Sequence, residues 1–148
     1  MTKSRFCKTK RPEKRIAIFT AIAALTALSA CTTNPEPAGG SLSADVQGKT
    51  AVAALQRVNE AGLRCWIRSG DDQFDGLALV PELDTRTGDP RILVVRRGQS
   101  QGLPQLVITA SGGDPVNVTT FGPLVSAPVS ERINSDILAW TAGRSACT

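Results

Sequence analysis

Three stretches of the chain are apolar at every consecutive position: Leu77-Ala78-Leu79-Val80, Ile92-Leu93-Val94-Val95 and Leu106-Val107-Ile108. Runs this short suit strands better than helices. Successive strand side chains point to opposite sides, so a sheet built from these runs is apolar on both faces. An antiparallel sheet with one wet face would alternate instead. The chain must therefore place a helix on each face, or leave one apolar face for a partner, a ligand or a second copy.

Turn residues divide the region into five expected strands, at 63–69, 77–83, 92–97, 105–110 and 116–121. The connections are brief, and two carry the same tripeptide, Gly88-Asp89-Pro90 and Gly113-Asp114-Pro115, which favours antiparallel hairpins over parallel crossovers. Before the strands, Val52, Leu55 and Val58 recur at helical spacing among alanines, and Gly62 reads as the stop of that helix. After them, Val129, Ile133, Ile137 and Trp140 mark one face of a second helix, with Ser126 or Ser130 to cap its start and Gly143 its end. The expected fold class is α+β: an N-terminal helix, a five-stranded antiparallel meander and a C-terminal helix packed on the sheet.

The formal charge of +4 misleads. Residues 1–30 hold seven of the 17 Lys and Arg and a single acid, leaving ten bases against twelve acids in the rest. No nucleic-acid partner is expected, because the basic charge belongs to a segment laid out for export. Behind the basic head, residues 16–30 are uncharged and end in small side chains. Fifteen residues rich in Ala and Thr fall short of the about 20 apolar ones that a bilayer span needs, so the layout is that of a signal peptide.

At its end, Leu28-Ser29-Ala30-Cys31 resembles the lipobox of bacterial lipoproteins, a Leu and two small residues before the cysteine that takes lipid. The resemblance covers residues 1–31 and identifies a processing class. It implies a diacylglycerol on the Cys31 sulfur, cleavage before Cys31 and acylation of the new amino terminus, with palmitate among the acyl chains. Several chains make a stable anchor where one would not. Thr32 at the second mature position implies the outer membrane, facing the periplasm. The expected organisation is a cleaved signal at 1–30, a flexible Pro- and Gly-rich tether at 31–44 with a reach of roughly 20 Å, and one small domain at 45–148.

Removal of Cys7 with the signal and use of Cys31 for lipid leave Cys65 and Cys147 of the four cysteines. An exported pair reads first as a disulfide, against a metal pair or a reactive thiol as alternatives. The loop it would close gives on the order of 4 kcal/mol in the chain-entropy model. If 63–69 is a strand, Leu63, Cys65 and Ile67 face one side, and Arg64, Trp66 and Arg68 the other. A tryptophan between two arginines is the composition of an interaction hot spot, so these three mark a possible binding face, unless Trp66 fills a core under the first helix.

Chemistry is sparse. The chain has no histidine, so the usual neutral-pH base, Ser-His triads and His metal sites are all missing. Asp71-Asp72-Gln73-Phe74-Asp75 echoes the Asp-Asp-x-x-Asp motif of magnesium-diphosphate enzymes, yet it lies between Gly70 and Gly76 in a connection, where a solvated turn is the plainer reading. No catalytic residue, cofactor or metal is expected. The expected role is a non-catalytic envelope lipoprotein, held at the membrane by its lipid, that binds another envelope protein or serves as a structural accessory. A small-ligand or lipid carrier and a periplasmic protease inhibitor are the alternatives.

The lipobox makes a direct prediction. The Cys31→Ala chain should incorporate no labelled palmitate and accumulate as uncleaved precursor. Label retained on a Cys31→Ala chain that survives carbonate washing of membranes would overturn the assignment.

Overall fold

The computed structural model describes residues 39–99 and 101–147; the expected signal peptide, Cys31 and the tether up to residue 38 lie outside the described residues. Strands β1 (Ser43–Val46), β2 (Leu77–Glu82), β3 (Arg91–Arg96), β4 (Leu106–Ser111) and β5 (Val116–Phe121) form one antiparallel sheet in the order β1-β5-β4-β3-β2. β2 to β5 make the expected meander, each strand beside its chain neighbour. The fifth strand differs from expectation. It is β1, whose first two residues fall in the expected tether, and it lies on the outer edge of β5. Four small or polar residues carry little strand signal of their own. They are held by tertiary pairing, extended at Leu42, whose N–H donates to Thr120 Oγ1 and whose carbonyl accepts from the Thr120 N–H.

Residues 63–69 are not a strand. Helix α1 (Ala51–Gly62) starts at Thr50, whose Oγ1 accepts from the Ala53 N–H at 3.2 Å, and it continues past Gly62 into a π-helical turn, Leu63–Ile67. Arg68 N–H donates to the Leu63 carbonyl at 3.0 Å, the five-residue bond of such a turn. Gly62 does not stop the helix, because its φ of −61° is helical. It is a glycine for space: a Cβ there would stand 2.9 Å from Leu79 Cδ1 and 3.4 Å from the Trp66 ring. The turn to β2 comes only at Gly70, where φ is +75° and a side chain would be strained.

The C-terminal helix α2 (Ser130–Thr141) follows the expected stripe, with Val129, Ile133, Ile137 and Trp140 all buried. Its start has no side-chain cap: Val129 occupies the capping position and Ser126 ends a separate 3₁₀ turn, Pro123–Ser126. Its end is as expected. Gly143, at φ +96°, lets its own N–H and that of Arg144 turn back to the carbonyls of Trp140 and Ala139. These two bonds form a Schellman motif.

Both helices lie on one side of the sheet. α1 and α2 bury Leu55, Val58, Ile133 and Ile137 in a single cluster with Ile92, Val94, Leu106, Ile108, Val116 and Val118. Strand register puts all six of these sheet residues on one face, since Val94 opposes Leu106, Ile92 opposes Ile108 and Ala110 opposes Val118. Cys65, at the turn after α1, is disulfide-bonded to Cys147 beyond α2, with Cα atoms 5.3 Å apart. The bond joins the two helical elements and supersedes the metal-pair and reactive-thiol alternatives.

Thiol alkylation of the denatured, unreduced chain should accordingly leave Cys65 and Cys147 unlabelled. Cys147→Ser should lower unfolding stability by about 4 kcal/mol, the entropy of the lost loop. Stoichiometric labelling of both residues, or an unchanged denaturation midpoint in the variant, would contradict the bond.

Candidate functional site

The expected binding face of Arg64, Trp66 and Arg68 does not form. On a helical turn these residues do not alternate across a plane. Trp66 is 1 % exposed and sits in the core, stacked on Phe74 at 5.1 Å between centroids and tilted against Trp140 at 4.9 Å. Its indole N–H donates to Asp136 Oδ2 at 2.7 Å. Arg64 and Arg68 remain exposed, and Arg64 donates to the Ser145 carbonyl.

Asp136 belongs to no motif, although its position in the sequence is a signal. It falls three residues after Ile133 and four before Trp140, on the apolar stripe itself. It is fully buried. Arg132, one turn earlier on α2, brings its Nε to 3.8 Å from Asp136 Oδ2, spreads its guanidinium over Phe74 at 5.2 Å and bonds Asp71 and Gln73 with Nη1.

This contact explains the acid cluster. Asp71 holds Arg132 and caps a 3₁₀ turn, Asp72–Phe74, by accepting from the Gln73 N–H at 3.0 Å; Asp75 accepts from the Gly76 N–H at 2.8 Å. The carboxylates of Asp71 and Asp75 are engaged in shaping the loop. Among the described residues, no group of three or more His, Cys, Asp or Glu is placed to hold a metal ion.

The feature that stands out is the other face of the sheet. With both helices on one side, the register sorts the outward side chains into rows that cross the strands. One row is wholly apolar: Val80 of β2, Leu93 of β3, Val107 of β4 and Phe121 of β5 oppose one another in sequence, with Ala78 and Val95 beside them. The next row is polar across all five strands: Glu82, Arg91, Thr109, Thr119 and Ser43. Its members satisfy each other, Arg91 bonding Glu82 at 2.5 Å and Thr109 sharing a 2.6 Å hydrogen bond with Thr119. Beyond it, Asn117 donates to Asp45 at 2.8 Å.

The polar rows thus answer their own hydrogen bonds, while the apolar row lies opposite both helices of the described residues. Val107, at its centre, and Val95 beside it are buried, at 5 % and 2 % exposed, whereas Phe121 at its end is 51 % exposed. Beyond the strands, Leu103 in the β3–β4 connection is 89 % exposed. The edges of the sheet are poor docking sites by comparison. β1 has four residues, and β2 carries Pro81, which lacks an N–H to offer a further strand.

The Arg132 guanidinium, with the Gln73 N–H, holds the Asp71 carboxyl below its ordinary value near 3.8. A depressed value contributes stability that is full above the ordinary value and is lost as pH falls through the folded-state value. Asp71→Asn should therefore lower the denaturation midpoint at neutral pH, with the gap to the parent closing as acid protonates the parent's Asp71. A gap that stays constant down to strongly acidic pH would show that the ion pair contributes nothing.

Compared with models of protein families, with curated proteins and with solved structures, the chain matches none.

Proposed function

We propose that this chain is a non-catalytic lipoprotein of the cell envelope, lipid-anchored at Cys31 on the periplasmic side of the outer membrane, whose domain docks another envelope protein through the sheet face opposite its two helices. The observation that carries the docking is the apolar row Val80, Leu93, Val107 and Phe121, which no helix of the described domain covers.

A sheet face without its own layer is half of a sandwich. Stable domains bury such a face against another element, and exposed apolar patches on soluble domains mark interaction sites. The chemistry suits a protein occupant. Aliphatic side chains beside a protruding Phe, with self-satisfied Thr, Arg and Glu around them, match the apolar centre and polar rim of a protein interface. A pleated open surface gives a lipid chain little enclosure, whereas ligand sites of that kind surround most of their occupant. The blunted edges direct a partner to the face instead of to strand addition. The lipid anchor would hold the domain among the proteins of the envelope, where a modest patch works at high local concentration.

The experiment is site-specific crosslinking in intact cells. A photoreactive residue at position 121 should yield a discrete adduct with another protein, and the same probe in a Leu93→Lys background should lose it while the denaturation midpoint stays near the parent's. An adduct only with a second copy of the chain would turn the assignment to self-association. No adduct at all, or one indifferent to Leu93→Lys, would count against docking on this face.

A further inference from the structure

On the helix side of the domain a cleft of about 450 Å³ opens between α1 and the turn that follows α2. Arg57 and Arg64, seven residues apart and hence on one side of the helical element, both reach over it to residues 143–145. Arg64 donates to the Ser145 carbonyl. Arg57 brings Nη1 so close to Gly143 that a Cβ on that glycine would lie 3.3 Å from it. Arg144 adds a third guanidinium to the same lining, and Glu60 is the one acid there.

Three guanidiniums at a helix end invite a simple explanation, that they complement the carbonyls of α2. That need is already met. The Leu138, Ala139 and Trp140 carbonyls accept from the backbone N–H groups of Ala142, Arg144 and Gly143. Nor are the cations neutralised. Arg91 and Arg132 each hold a carboxylate, but among the described residues neither Arg57 nor Arg144 is in an ion pair.

We propose that this cleft binds a phosphate group, presented either by a soluble phosphate or by the monoester headgroup of phosphatidic acid. Guanidinium forks match phosphate oxygens in pairs. A carboxylate offers two oxygens and one charge, enough for one fork. A phosphate monoester offers three oxygens and a charge of about −1.5 to −2 at neutral pH. Three arginines less Glu60 leave two positive charges, which complement that anion.

The test follows amide and indole resonances of the intact chain in a neutral detergent. Inorganic phosphate is titrated at constant ionic strength, so that screening alone moves nothing. Saturable shifts at Gly143, Arg144, Ser145 and the Trp140 indole are expected. Arg57→Gln with Arg144→Gln, which spares the Arg64 clamp on the turn, should weaken binding by about tenfold or more. Glu60→Gln should strengthen it. Short-chain phosphatidic acid, with phosphatidylcholine as control, separates the sources: saturation by phosphate assigns a soluble ligand, and saturation by phosphatidic acid alone a lipid headgroup. Failure of both to shift these resonances, or shifts that persist unchanged in the double variant with an otherwise intact spectrum, would overturn the proposal.

Discussion

The domain is organised around a carboxylate that has no contact with water. Asp136 is fully buried on α2. A carboxyl group in an apolar interior is tolerated only when charge and hydrogen bonds surround it. Its oxygen takes the Trp66 indole N–H at 2.7 Å and lies 3.8 Å from the Arg132 guanidinium, which in turn grips Asp71. These contacts tie four separate pieces together: the π-helical turn, the loop before β2, the 3₁₀ turn that places Phe74, and α2. Slippage of α2 by one residue would leave the carboxylate buried without its partners. A core of Leu, Ile and Val alone tolerates such slips far more easily, so the buried polar network selects one packing of the helices. The neighbouring disulfide at Cys65 then fixes that choice covalently.

What the sequence revealed and what it hid follow from where the information lies. β2 to β5 were legible because each is a local apolar run between turn residues, and α2 because Val129, Ile133, Ile137 and Trp140 repeat on a helical period with Gly143 as a true left-handed stop. β1 was not, since its only specification is the partner strand β5. The segment after Gly62 misled for a different reason: Leu63-Arg64-Cys65-Trp66-Ile67-Arg68 alternates like a strand, yet Val58, Ala61 and Cys65 also continue a helical stripe. Glycine at 62 reads as punctuation, yet it is a matter of room for Leu79 and Trp66. Two periods fit the same six residues, and tertiary packing chose between them.

The candidate surfaces show the same division. That the strands are apolar on both sides could be read directly, and from it the alternative of a covered or an uncovered face. Which alternative holds depends on the side to which α1 and α2 fold, a long-range choice that no local pattern encodes. The tryptophan between two arginines pointed to an interface, and the same residue type serves equally as a core anchor with a hydrogen-bonding handle. The arginine cleft was beyond reach of any window on the sequence, because Arg57 and Arg144 meet only after the fold has brought the end of α2 back to α1.

The disulfide also has a mechanical meaning. Cys65 and Cys147 enclose β2 to β5 and α2 in a covalent ring, while β1 and α1 precede it. Tension applied where the chain enters the domain, at Gly39 and Gly40 beside α2, therefore falls first on the Asn134 bond to the Gly40 carbonyl and on the four-residue pairing of β1 with β5. Yielding there releases the residues before Cys65 as slack of at most about 90 Å, after which the pull meets a closed loop. The apolar row of β2 to β5 and the α2 half of the helical backing belong to that loop, so the extensible part of the domain and its candidate docking face lie on opposite sides of one covalent bond.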